Sequence, residues 1–147
     1  MTSSARVSNS NSDGIVTGDE NVGGIIGYHQ GELINSYAKG KVKGVNNVGG
    51  FVGYSRGNIS FSFFKGSVEG EENVGGFIGQ NGFFNSNNNN PAFVNDSYSI
   101  SDVIGVNNVG GFTGIQYKNS SITNVYSVSK IDGNTIVGGF IGLNAGT

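Results

Sequence analysis

The chain contains no cysteine, a single histidine, a single proline and few charges among its 147 residues. Without cysteine, neither a disulfide framework nor a thiolate metal site can form. The lone histidine, His29, is followed by Gln30, Gly31 and Glu32, so the paired imidazoles of a His-Glu-x-x-His zinc site are missing. Any Ser-His-Asp arrangement would need the same residue, which the sequence places in an exposed corner as a surface side chain. With 8 Lys and Arg against 10 Asp and Glu, the net charge is -2, and the clustered cations that nucleic acid demands are absent. No apolar run approaches the roughly 18 residues that span a bilayer, so membrane insertion is not expected. The start, Met1 to Arg6, carries no hydrophobic segment of the secretory-signal type. No stretch shows helical i, i+3, i+4 spacing of useful length, and glycine every few residues opposes a helix.

What the chain does have is repetition. One phrase appears as Asn21-Val22-Gly23-Gly24-Ile25-Ile26-Gly27, returns from Asn47, Asn73 and Asn108, and closes as Ile136-Val137-Gly138-Gly139-Phe140-Ile141-Gly142 without the leading Asn. A second phrase, Ser36-Tyr37-Ala38-Lys39-Gly40-Lys41-Val42-Lys43-Gly44, recurs around Phe63, Tyr98 and Tyr126. The alternation in Lys41-Val42-Lys43 has the period of a half-buried strand, which puts Lys39, Lys41 and Lys43 together on a solvated outer face. Self-similarity at this spacing means stacked units that bury a core only jointly. The expected fold is an all-β, parallel β-solenoid of about five coils with a period of about 26 residues, each holding two or three short strands. Antiparallel hairpin pairs in one long sheet or sandwich are the alternative. The units run approximately 10–35, 36–61, 62–96, 97–124 and 125–147.

Spacing locates the variable edge. From the aromatic to the next repeat Asn (or Ile136) is always ten residues, whereas the return arcs measure 16, 16, 25 and 18. Insertions therefore fall after the Val-Gly-Gly phrase, on one edge of the stack. The largest, 80–92, carries Phe83, Phe84, Asn85, Asn87 and Asn88; the next unit offers Tyr117 and Asn119. Rings beside amides suit a sugar or protein ligand, and these seven residues form the candidate binding edge. Two columns are expected to be structural ladders: Asn21, Asn47, Asn73 and Asn108, and Tyr37, Phe63, Tyr98 and Tyr126. The Gly-Gly pairs fit a bend needing positive φ or close backbone approach.

The element Val48-Gly49-Gly50-Phe51-Val52-Gly53, joined to Ser36-Tyr37-Ala38-Lys39-Gly40-Lys41-Val42-Lys43-Gly44, resembles the GLUG-motif repeat. The resemblance extends from about Ser10 to Gly142, apart from the insertion. It implies a module of large bacterial surface or secreted proteins, including adhesin-like chains and immunoglobulin A-cleaving metallopeptidases, whose repeats lie outside the catalytic domain. It brings no catalytic residue.

The acids are scattered: Asp19-Glu20 and Glu71-Glu72 share a repeat position, but Val45-Asn46 lies between them. Gly-Gly pairs without a following Lys-Ser/Thr form no nucleotide loop. The expectation is a non-catalytic adhesive or structural stalk, extracellular or at the cell surface and part of a longer secreted chain, with no cofactor. Two alternatives stand beside it. One is a subunit that stacks head to tail through unpaired end strands; the other is a module that binds a host or neighbouring-cell glycan or protein through the Asn-rich edge.

Overall fold

A computed structural model describes residues 5–84 and 91–145. The described residues form strands joined by bends and turns, without helix, and all strand pairings are parallel. The chain is a parallel β-solenoid of about five turns with a period near 28 residues. The hairpin alternative is thereby excluded.

Each coil contributes one strand to each of four five-stranded sheets, rather than two or three strands in all. Sheet A stacks Arg6–Ser8, Glu32–Ile34, Asn58–Ser60, Ala92–Asn95 and Ser120–Thr123. Sheet B stacks Asn11–Thr17, Tyr37–Lys43, Phe63–Glu69, Tyr98–Ile104 and Tyr126–Asp132. Sheet C holds Glu20–Gly23, Asn46–Gly49, Glu72–Gly75, Asn107–Gly110 and Thr135–Gly138. Sheet D holds Ile26–His29, Val52–Ser55, Ile78–Asn81, Thr113–Tyr117 and Ile141–Ala145.

The period-two alternation in sheet B sorts its side chains. Ala38 and Val42 are buried, while Lys39, Lys41 and Lys43 are exposed. At the next level Phe64 and Val68 are buried in the same columns, so burial repeats coil by coil. Gly40 sits between them with φ +120, and a Cβ there would lie 1.9 Å from the Gly14 carbonyl oxygen. Only glycine fits that rung.

The repeated Val-Gly-Gly-Phe phrase turns the chain from sheet C into sheet D. Its phenylalanines stack along the axis: Phe51 on Phe77 at 4.6 Å, Phe77 on Phe112 at 4.7 Å, Phe112 on Phe140 at 5.2 Å. Val48, Val74 and Val109, fully buried, line the same core with Leu33, Ile59 and Val94 from sheet A. The glycine pair is required by close approach and not by positive φ. A Cβ on Gly50 would stand 2.2 Å from Phe64 Cδ1 and 2.3 Å from the Gly76 carbonyl oxygen. A side chain there would displace the core ring.

Positive φ belongs instead to two other columns. The first is Asn21, Asn47, Asn73, Asn108 and Ile136, with φ between 50 and 55. The second, at the corner between sheets A and B, is Asn9, Asn35, Phe61, Asp96 and Asn124. Asn and Asp tolerate this left-handed region because their short polar side chains bond locally; bulky Phe61 and β-branched Ile136 occupy it only at a cost in strain. Both columns explain why asparagine recurs.

Both longer arcs pass through the corner between sheets D and A. Gln80, Asn81 and Ala92, which the spacing placed in the insertion, belong to strands, so the ladder closes more tightly around the loop than 80–92 implied. Asn85, Asn87 and Asn88 lie outside the described residues.

Candidate functional site

The structural columns take up eight of the chain's sixteen aromatic rings and four of its repeat asparagines. Asn47 Nδ2 donates to Asn21 Oδ1 at 3.0 Å, Asn73 Nδ2 to Asn47 Oδ1 at 2.9 Å, and Asn108 Nδ2 to Asn73 Oδ1 at 2.8 Å. A serine ladder unforeseen from the sequence runs beside the corner. The backbone N–H of Ser36 donates to Ser62 Oγ at 3.2 Å and that of Ser62 to Ser97 Oγ at 3.2 Å, while each hydroxyl donates two residues back along its own coil. Its only sequence signal was a serine before three of the four aromatics, which reads equally well as a turn residue.

The outer aromatic column is also a ladder. Tyr37, Phe63, Tyr98 and Tyr126 stack at 4.9, 5.0 and 4.9 Å with interplanar angles of 3–4°. Lys39 and Lys65 hold their ammonium groups 5.1 and 5.8 Å from the Tyr37 and Phe63 rings. Ring faces covered by neighbouring rings are closed to a ligand. Lys43 pairs with Glu69 at 2.8 Å, and Glu72 accepts from Asn107, which takes both carboxylates out of any shared groove.

At the corner between sheets D and A the rings are arranged differently. Tyr28 and Tyr54, register neighbours in sheet D, meet edge to face at 5.0 Å and 66°. Two residues beyond Tyr54, Arg56 is anchored by its backbone N–H to the His29 carbonyl at 2.8 Å. Its Nη1 donates to the Tyr28 hydroxyl at 3.4 Å, and its guanidinium lies 4.8 Å over the Phe83 ring. Gly82, at φ +84, turns the chain outward after its N–H bonds the Ser55 carbonyl at 3.0 Å. That turn delivers Phe83 to Arg56 and Phe84 to Tyr117, the latter pair edge to face at 5.9 Å and 76°. Phe84 is 77% exposed. Burial pushes the Tyr54 phenol up to about 12, with the nearby Arg56 charge opposing the shift. The Tyr54 hydroxyl is buried with no hydrogen-bond partner among the described residues.

Phe83, Phe84 and Tyr117 thus join a cluster whose other members, Tyr28, Tyr54 and Arg56, sequence reading missed. The available signal was a tyrosine at a constant offset past the third glycine of two successive phrases, Gly27-Tyr28 and Gly53-Tyr54. Asn119 is a turn residue with φ 60 whose carbonyl accepts the Ala92 N–H at 2.9 Å.

His29 is a correction. It is 3% exposed rather than a surface side chain, with Nε2 3.3 Å from the Asn58 carbonyl oxygen. Burial lowers its pKa below 6.5, and the Asn58 bond opposes that shift. His29 begins a buried polar column that continues in register through Ser55, Asn81 and Gln116. Neither Asn81 Oδ1 nor Nδ2 has a partner among the described residues.

The fold and its columns define a class: a parallel β-solenoid whose repeat is held by side-chain ladders. The GLUG motif matches residues 18–43, one coil from the Gly18 corner to the end of the sheet B strand Tyr37–Lys43. The match supports a GLUG-motif repeat protein. No curated protein and no solved structure matches it.

Proposed function

We propose that this chain is a non-catalytic repeat module of a bacterial cell-surface or secreted protein, working as an adhesive or structural stalk. The observation that carries the reading is ladder continuity. Asparagine and phenylalanine columns run in register through successive coils, so load along the axis is shared among parallel backbone, amide and ring contacts. On sheet B the outer rings stack on one another, with Lys39 over Tyr37 and Lys65 over Phe63. Single-molecule pulling from the two ends tests this. Stepwise, coil-by-coil resistance is expected; collapse in one event at thermal-scale force overturns the stalk reading.

A second reading is favoured by one specific feature. The corner carrying Tyr28, Arg56, Phe83 and Phe84 holds aromatic and cationic groups outside any ladder, with rings crossed edge to face rather than stacked. Groups that a fold does not need for its own packing are available for a partner. This reading makes the corner a ligand-binding edge on the stalk. Cells displaying the chain should adhere to a glycan-coated surface, and Phe84→Ala should reduce adhesion without changing the melting temperature.

A further inference from the structure

We propose that the corner between sheets D and A binds a carboxylate-bearing sugar, with Arg56 taking the carboxylate and the Phe84 ring taking the sugar's apolar face. The inference rests on the ligand-binding edge described above and specifies its ligand.

Arg56 has no carboxylate partner among the described residues, in contrast to Arg6 and Lys43, which are paired with Glu32 and Glu69. A guanidinium has five N–H donors in a fixed plane, and the Tyr28 hydroxyl occupies one of them. The Phe83 ring packs against the guanidinium, its centroid 4.8 Å from Cζ. Held from two sides, the side chain has already given up much of its rotamer freedom, so a planar carboxylate meets a pre-ordered fork. Burial raises the Tyr54 phenol pKa, and the charge of Arg56 opposes that shift.

The rings decide between a sugar and other carboxylates. A pyranose presents a flat face of C–H bonds that packs on an open aromatic face. The ladder of Tyr37, Phe63, Tyr98 and Tyr126 offers few open faces, because each inner ring is covered on both sides at about 5 Å. Phe84 meets Tyr117 in a T-shaped contact and is 77% exposed, so most of its ring is open to solvent, and it follows Phe83, the ring on which Arg56 lies. The Tyr54 hydroxyl, buried and without a partner among the described residues, lies within reach of the Arg56 charge.

The chemistry is common to uronic and sialic acids, and the test separates them. The whole chain is titrated by calorimetry with trigalacturonate, its methyl ester, sialyllactose and lactose. Binding of at least one acidic saccharide in the range of about 0.01–1 mM is expected, weakened at least roughly tenfold by esterification or loss of the acid. Arg56→Ala should weaken it by about tenfold or more and Phe84→Ala by several-fold, each with an unchanged melting temperature. Equal binding of acidic and neutral sugars, or indifference to Arg56→Ala, overturns the proposal while leaving a binding edge. Binding of an acidic peptide such as tetraglutamate, but of no saccharide, overturns it in favour of a protein partner. Failure of all these probes overturns both the proposal and the edge reading.

Discussion

Asn108 ends a ladder that Ile136 fails to continue. The two residues face each other across sheet C, flanked by the paired Asn107–Thr135 and Val109–Val137 rungs. Asn108 Oδ1 is buried with no partner, where every lower rung accepts an amide N–H from the coil above. Ile136 also holds φ 55, a left-handed conformation that β-branched residues rarely occupy.

Ile136→Asn should therefore stabilise the chain. It removes a left-handed penalty of about 1–2 kcal/mol and supplies a donor for Asn108 Oδ1 worth about 1 kcal/mol. Ile136 is 47% exposed, so little apolar burial is lost in exchange. A rise in denaturant midpoint with unchanged slope is the expected result; a fall would mean that the isoleucine packs more effectively than its exposure indicates.

The two aromatic ladders should differ in strength. Phe77 is fully buried between Phe51 and Phe112, and Phe77→Ala should cost about 3–5 kcal/mol through lost burial and a residual cavity. Phe63 stacks between Tyr37 and Tyr98 on the outside, and Phe63→Ala should cost about 1–3 kcal/mol from two lost stacking contacts. Chemical denaturation of both variants measures the order, with Phe77→Leu as the milder core probe. An outer ladder that proves the more costly would move the stabilising core to the surface column.

This contrast also marks how far the sequence could be read. The Asn and aromatic columns were legible because the ten residues from each aromatic to the next repeat Asn (or Ile136) never vary, and a constant interval in a parallel stack preserves register. The Arg56 site was not. Tyr28 and Arg56 belong to different coils at offsets that differ by two, and Phe83 arrives through a turn at Gly82 that no repeat shares. His29 was misplaced because it was read as lying in an exposed corner, whereas it ends a sheet D strand as the first member of a buried polar column. Sheet A was hidden for a simpler reason: its strands are only three or four residues long and carry little alternation.

Thr113 is a polar side chain in an aliphatic column. Its register neighbours are Ile78 and Ile141, it is fully buried, and its Oγ1 has no hydrogen-bond partner within the chain. Thr113→Val keeps the shape and removes a hydroxyl whose burial without a partner costs about 1–3 kcal/mol. The variant should melt higher than the parent by an amount corresponding to about 1 kcal/mol. A lower melting temperature would show that the hydroxyl is satisfied and contributes to the fold.

Stability should fall as the solution is acidified through the histidine range. Folded His29 has a pKa below 6.5 because burial disfavours its cation, while the unfolded chain titrates near 6.5. Above 6.5 both states are neutral and the full stability is present. As pH drops below that value the unfolded state takes up the proton first, so stability declines until the folded pKa is passed, then levels off. Glu69 and Asp96 do not confuse the window. Lys43 holds the Glu69 carboxyl below its usual range, and hydrogen bonds from Asn95 and Asn124 do the same for Asp96, so both act at lower pH. His29→Asn carries no titrating group and places an amide in a column that already holds Asn81 and Gln116. Denaturant midpoints measured from about pH 8 to about pH 5 should slope downward for the parent and lie nearly flat for the variant. Equal slopes in the two proteins would mean that His29 is solvated in the folded state and that the polar column is open to water.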